Sequence, residues 1–435
     1  MSFNQLRVNI SWNVVGGAGA RLLIPLFQLA IARFLSPHDY GAFAFAMAAV
    51  MLFDVFKDLG VGDVLIANSA KTADFSILFT LLIITSSSTF ALGLATLFVM
   101  NAYIDLNWKE VAVVLVTVAS ILLSPINDSL ATYYRSRQDY KLLGVRQLCV
   151  ALTGGLVGLG AVTLGAGAVS LALGYFVSAL GSAILLWSQP ARPQMKISLK
   201  GVKAYLPTGR HLMVQRVSGF SVSTADLIIV KFWLGLQSLG VYRLAHQLNN
   251  LFPMSSIFLV SQVMFTEFAK RFKNGDIQAI KVLYRNYAVL SGLVLLTFSV
   301  LVYLAADRFI LLLLGEDWRD ASVIFALLSC SLPTSYISAV NVELSKVFGF
   351  AKAYTMYGVI RGVGTLVAVW FAAGFGLVYI GFAWSFCSVL GNLVNEAIFH
   401  SKQEYIKFSF SRTVIYLSAV FWFAFVVSQS LPAQI

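Results

Sequence analysis

Runs of about 20 apolar residues, long enough to cross a hydrocarbon core of roughly 30 Å, recur in this chain from Ile10 almost to its end. Lipid offers no partner for backbone N–H and C=O groups, so a spanning segment must be a helix or a strand of a closed barrel. A barrel requires alternating polarity, and these runs are continuous. With 59% hydrophobic and 11% charged residues and a mean hydropathy of +0.81, the chain departs from soluble proteins, which are about 25% charged. The expectation is an all-α polytopic membrane protein. The first run lacks a basic segment at its start, continues past Arg21 and shows no A-x-A site, so it reads as a retained span rather than a cleaved signal.

Polar breaks delimit thirteen spans, at about 11–35, 41–66, 75–100, 109–134, 146–167, 168–189, 206–232, 238–266, 284–306, 319–344, 353–375, 377–399 and 410–430. Connectors that follow even-numbered spans hold 20 of the 31 Lys and Arg, among them Arg135, Arg137, Lys141 and Arg146, whereas connectors after odd spans hold five. Positive charge stays on the cytoplasmic side, which places the N-terminus and the basic loops inside and the uncharged tail Ser430–Ile435 outside. These loops account for much of the +12 net charge, so no nucleic-acid partner is implied. They would attract anionic membrane lipids, with the amphipathic stretch Met195–Tyr205 along the interface.

An internal echo at an offset of 199 residues relates Phe34-Leu35-Ser36, Gly41-Ala42-Phe43 and Ala46 to Trp233-Leu234-Gly235, Gly240-Val241-Tyr242 and Ala245. Six spans separate the copies, so the halves share one topology and relate by an axis along the membrane normal. The expected organisation is two six-helix bundles plus a C-terminal extra helix: an N-terminal lobe over 1–190, a basic connector over 191–210, a second lobe over 211–400 and the additional helix over 401–435.

Arg21, Lys57, Arg216, Arg243 and Arg361 lie inside predicted spans. Each would cost about 2.5–3.5 kcal/mol at a helix centre facing lipid. At 100° per residue each falls on a polar stripe: Asn13, Gly17, Arg21 and Gln28; Arg216, Gly219, Ser223 and Asp226; Arg243, Gln247, Asn250 and Ser261; Tyr354, Tyr357, Arg361 and Thr365. Span 12 adds Ser385, Asn392 and Glu396. Such stripes line a bundle interior or a wet cavity. Helix packing against carbonyls or acids of neighbouring spans is the plainer reading. It is strongest in span 2, where Asp54, Lys57 and Asp58 stand at i, i+3 and i+4. The four arginines have no acid three or four residues away and are the better anion-binding candidates. Asp226 is a lone acid deep in the second half; it would bind a coupling proton or Na⁺, or pair with Arg216. Glu396 and Glu343 lie nearer span ends.

Other chemistry is not written in the chain. Cys149, Cys330 and Cys387 are scattered singly in apolar runs, as packing residues, with no metal spacing. Gly158-x-Gly160 lacks the final glycine of a nucleotide loop, and the tract from Gly154 to Gly174 fits close helix packing. There is no P-loop, HExxH or GxSxG, so neither an enzyme nor a resident cofactor is expected.

The segment Arg33-Phe-Leu-Ser-Pro-His-Asp-Tyr-Gly-Ala-Phe-Ala-Phe-Ala46, running on to Leu52-Phe-Asp-Val-Phe-Lys-Asp-Leu-Gly60, resembles the first two helices of Wzx-type polysaccharide flippases, in the polysaccharide transport branch of the MOP superfamily. Leu239-Gly-Val-Tyr-Arg-Leu-Ala245 and Leu313-Leu-Gly-Glu-Asp-Trp318 are similar to its second-half signatures. The resemblance implies two lobes in a V, as in MATE exporters and lipid II flippases, alternating access through a cationic cavity, and export of an undecaprenyl-pyrophosphate-linked oligosaccharide across a bacterial inner membrane for O-antigen, lipopolysaccharide or exopolysaccharide assembly. It implies a polysaccharide polymerase and a chain-length regulator as partners, and cavity lining from helices 1, 2, 7 and 8, which carry Arg21, Lys57, Arg216 and Arg243 here. The family commonly has fourteen helices, one more than the spans counted. A MATE-like ion-coupled exporter of cations would want a cavity dominated by acids. A membrane glycosyltransferase or polymerase would carry a long outer loop.

Overall fold

The structure, a computed structural model, describes residues 3–55, 57, 61–67, 72–103, 107–195, 220, 224–349, 351–402, 420 and 422–424. All regular structure among them is helical, and nine of the helices are long and apolar enough to cross a bilayer. The chain is a multi-pass membrane protein, and it divides into two compact units, Met1–Phe220 and Ser221–Ile435. Arg216, Asp58, most of the basic connector with the stretch 196–205, and most of the thirteenth span fall outside the described residues.

Unit 1 contains α1 (Phe3–Ala32), α2 (Pro37–Asp54), α3 (Val61–Ala67), α4 (Thr72–Tyr103), α5 (Trp108–Ala119), α6 (Ser124–Ser136), α7 (Tyr140–Thr163) and α8 (Val169–Trp187). Its helices start where the sequence supplies caps. Asn107 and Glu110 form a capping box at α5, and Asp139 accepts from the Leu142 N–H at 3.1 Å to open α7, each satisfying donors that a helix start leaves without partners. Small residues then allow backbones to approach. A Cβ on Gly154 of α7 would lie 2.5 Å from the Gly174 carbonyl oxygen of α8, and one on Gly174 would lie 2.7 Å from the Gly154 oxygen. Gly16 of α1 meets the backbone of Gly144 on α7 in the same way. The glycine tract is thus a packing seam, as its spacing suggested. Cys149 does not share the fate expected of a packing residue: it is exposed, because α7 turns Gly144, Ala151, Gly154 and Gly158 to its neighbours and Cys149 lies off that stripe.

Unit 2 contains α9 (Ala225–Lys273), α10 (Ile277–Leu314), α11 (Asp320–Ser329), α12 (Leu332–Val347), α13 (Ala351–Ala373) and α14 (Leu377–Lys402). The expected break between spans 7 and 8 is not a loop. It is a kink at Gly235, whose φ of 82° and ψ of −177° are accessible to glycine at no steric penalty. At the equivalent Ser36 in unit 1 the chain turns instead, and the Ser36 hydroxyl caps α2 by accepting from the Asp39 N–H at 3.1 Å. After both breaks the echoed residues are buried: Ala42 6%, Phe43 5% and Ala46 2% exposed, against Val241 3%, Tyr242 0% and Ala245 0%.

Three spans expected to be continuous are interrupted. Span 2 stops at Asp54 and resumes at Val61. Span 4 tightens to a 3₁₀ turn over Ser120–Leu123 before Pro125, and span 10 breaks between Ser329 and Leu332, before Pro333. Proline lacks the N–H that would bond back one turn and crowds the carbonyl behind it, so the same residue type breaks the fourth span of each unit. Outward faces carry large apolar side chains such as Leu156, Phe98, Leu304 and Leu312, as the lipid solvent requires, while Asn341, Asn392, Asp226 and Glu396 are buried.

Candidate functional site

In unit 1 the break in span 2 sets the geometry. Lys57 stands in a turn just past the end of α2, with its Nζ 2.9 Å from Asp54 Oδ1 and 2.7 Å from Asp128 Oδ2. The Asp54 contact is a hydrogen bond within one turn of chain, and the Asp128 carboxylate pairs with the same ammonium from another span. The Lys57 side chain is largely covered, at 16% exposure, beside aspartate side chains that are 41% and 40% exposed. Asp128 comes from α6, three residues after the Pro125 that breaks span 4. Beside it, Asn127 Nδ2 donates to the Ala179 oxygen of α8 at 3.0 Å. Arg146 of α7 lies within electrostatic reach of Asp128 and donates from Nη1 to Ser182 Oγ at 3.3 Å. Arg146 is therefore not the connector residue that its place in the sequence suggested: α7 begins at Tyr140, so the arginine is two turns inside. Arg21, on α1, is exposed. It stands 11 residues from the end of α1 at Ala32, about 16 Å at 1.5 Å per residue. An arginine at that depth requires water or polar neighbours.

Unit 2 holds two buried carboxylates in hydrogen-bonded settings. Asp226, 4% exposed, is in the first turn of α9, where the helix dipole favours a negative charge. Its Oδ1 accepts from the Leu227 N–H at 3.0 Å and its Oδ2 from the Tyr242 hydroxyl at 2.8 Å. His246 Nε2 lies 3.9 Å from the same Oδ2, with the imidazole held edge-on between Tyr242 and Trp384 at centroid separations of 4.4 and 4.8 Å. Glu396, expected near a span end, is instead 2% exposed, since α14 continues to Lys402. It accepts from Asn341 Nδ2 of α12 and from the Tyr284 hydroxyl of α10 at 3.2 Å. Glu343, 18% exposed, pairs at 2.8 Å with Lys346, which is 47% exposed.

The arginines of unit 2 differ from one another. Arg361 of α13 donates from Nη1 to Asn392 Oδ1 of α14 at 2.9 Å, while Asn392 Nδ2 donates to Thr334 Oγ1 of α12 at 2.9 Å. Tyr357, one turn away, donates to the Gly391 oxygen. The polar stripes of spans 11 and 12 thus zip onto each other and onto α12. Arg243 is half-buried. Its charge is felt by Asp226 and His246, yet no ion pair joins it to a carboxylate among the described residues. The residues that sequence reasoning passed over are Asp128, Arg146, His246, Tyr284 and Asn341. The available signal was Pro125-Ile-Asn-Asp128 and Pro333-Thr-Ser335, a helix-breaking proline followed by polar residues inside an apolar run.

No group of three His, Cys, Asp or Glu among the described residues forms a metal site. Stacked polar stripes inside two all-helical units define a multi-pass membrane protein of the MATE and MurJ fold class. The chain matches the structure of lipid II flippase MurJ in an inward closed conformation at a TM-score of 0.70, with 13% identity, covering 96% of this chain and 98% of that one. It matches an inward-facing multidrug resistance MATE family transporter of the MOP superfamily at 0.65, with 15% identity, covering 88% and 98%. The sequence matches the family described as polysaccharide biosynthesis protein over residues 30–324, and the chain belongs to that family. Among its relatives are the succinoglycan biosynthesis transport protein ExoT of Rhizobium meliloti, 22% identical over 86% of this chain and 76% of the relative, and the teichuronic acid biosynthesis protein TuaB of Bacillus subtilis, 22% identical over 63% and 57%. The lipopolysaccharide biosynthesis protein WzxC of Escherichia coli is 21% identical over 68% and 61%. The resemblance carried by Arg33–Gly60 and Leu239–Ala245 is borne out.

Proposed function

We propose that this protein is a flippase that carries a lipid-linked oligosaccharide from the cytoplasmic to the periplasmic leaflet of a bacterial inner membrane, with its N-terminus inside. The family and the names of its relatives, a succinoglycan transport protein and a lipopolysaccharide biosynthesis protein, support the cargo class. The observation that carries the assignment of residues is Arg243, half-buried in the span after the Gly235 kink without a carboxylate partner among the described residues. Arg21, exposed and deep in α1, is the candidate in unit 1. A guanidinium matches a pyrophosphate through bidentate hydrogen bonds. In this reading Arg21 and Arg243 hold the pyrophosphate of an undecaprenyl carrier, with Arg216 and Arg361 assisting, while the glycan crosses in water and the lipid tail stays in the bilayer. Arg361 would have to leave Asn392 to do so.

An interior-negative potential favours outward movement of an anion by about 2.3 kcal/mol per charge per 100 mV, so voltage alone can drive export by alternating access. Coupling to a proton or Na⁺ at Asp226 or Glu396 would add to this drive. Flipping of a fluorescent undecaprenyl-pyrophosphate glycan in proteoliposomes tests the assignment. Each charge-assisted contact contributes about 1.5–3 kcal/mol, so Arg21→Ala and Arg243→Ala should each slow flipping at least about tenfold. Normal rates in stably folded variants would overturn it.

A further inference from the structure

We propose that Asp128 is a built-in competitor of the substrate: it occupies Lys57 in the empty transporter and moves to Arg146 when the cargo's pyrophosphate takes its place. The inference rests on the flippase reading above. Lys57 was expected to be a cavity cation, but two carboxylates hold it at 2.9 and 2.7 Å. With Asp54 and Asp128 against Lys57 and Arg146, the quartet is formally neutral and offers an anion nothing until one carboxylate withdraws.

Asp128 is the one built to withdraw. Asp54 is tied to Lys57 within one turn of chain, whereas Asp128 reaches it from another span and can move with α6. The second seat is already prepared. The Nε of Arg146 is buried without a hydrogen-bond partner among the described residues, and Asp128 lies within its electrostatic reach. A buried guanidinium N–H left unmatched is unfavourable, so a state in which Asp128 accepts from Arg146 repairs a defect of the present one. The Asp128 side chain is 40% exposed although its Oδ2 against Lys57 is covered, so the carboxylate must swing out before an arriving anion reaches Lys57. Two seats for one carboxylate, with a ligand that prefers one arrangement, make a bistable element. Asp128 also comes from α6, just after the Pro125 break, while Lys57 comes from the interruption of span 2, so the exchange links the two broken spans of unit 1.

The test is binding of a short-chain polyprenyl pyrophosphate to the purified full-length chain in nanodiscs, followed by intrinsic tryptophan fluorescence. Asp128→Asn should tighten binding about tenfold, because the competitor is gone, and the gain should vanish in the Asp128→Asn, Lys57→Gln double variant. Arg146→Gln should weaken binding by removing the second seat, and adding Asp128→Asn should restore it. Asp128→Glu should behave as the unmodified protein does, where a merely structural role would be sensitive to the added methylene. An Asp128→Asn variant that unfolds at the normal temperature but binds no tighter, or a gain that survives in the Lys57→Gln background, overturns the switch and leaves the flippase reading intact. An unmodified protein that ignores the pyrophosphate overturns both.

Discussion

Removing the hydroxyl of Tyr242 takes one atom from the middle of unit 2 and exposes how Asp226 is held there. Tyr242 is fully buried and its hydroxyl donates to Asp226 Oδ2 at 2.8 Å. In Tyr242→Phe the Leu227 N–H still serves Oδ1 at 3.0 Å, but Oδ2 is left with the His246 Nε2 at 3.9 Å, beyond hydrogen-bonding range. Hydrogen bonds to charged groups contribute about 1.5–3 kcal/mol, and an unmatched buried acceptor sits at the upper end of that range. The expected loss is about 2–3 kcal/mol, or a fall in unfolding temperature of about 4–12 °C for a unit of this size. Thermal unfolding in a mild detergent, read by tryptophan fluorescence, gives the value, and a double-mutant cycle assigns it. In an Asp226→Ala background the same substitution should cost under about 0.5 kcal/mol, because the hydroxyl then has no carboxylate to satisfy. An equal loss in both backgrounds would refute the reasoning and shift the role of Tyr242 to packing.

Two more outcomes follow from the packing. Gly154→Val should destabilise by about 1–3 kcal/mol through overpacking, since its first side-chain carbon already meets the Gly174 carbonyl at 2.5 Å. Gly160→Val, on the same helix with nothing within 4 Å, should change unfolding by no more than about 0.5 kcal/mol. Asn392→Leu should cost about 2–4 kcal/mol, because it leaves both Arg361 and Thr334 without the partner that joins α13 to α12. Asn392→Asp should recover most of that in the same unfolding assay by pairing with Arg361, and a leucine variant of normal stability would show that the network is dispensable.

Hydropathy made the helices legible, and periodicity made their polar faces legible, because lipid penalises every exposed polar group in the same way. The stripes through Arg361 and Asn392 do face inward and meet each other. What periodicity could not supply was the partner across the bundle. Lys57 was paired in sequence with Asp54, which it contacts, but its second anion, Asp128, lies 71 positions away in another span. The helix breaks were hidden for a different reason. Pro125 and Pro333 sit in runs apolar enough to read as continuous spans, and hydropathy does not register a missing N–H. Arg146 reads as a loop residue because its neighbours Arg135, Arg137 and Lys141 are loop-like cations. The better signal was Asp139, a helix-capping residue type that set the start of α7 seven residues earlier. Glu396 reads as a span-end residue from hydropathy, yet α14 runs on past the apolar segment to Lys402.

The glycine seam between α1 and α7 has a consequence during synthesis. Gly16 reaches its resting contact only when Gly144 exists, 128 residues later, and at about 5–20 residues per second a ribosome needs roughly 6–25 s to make that stretch. For that interval the first helix, with Arg21 deep within it, has no seventh helix to lean on. Its charge must be tolerated by the insertion machinery or by neighbouring lipid headgroups until the seam closes.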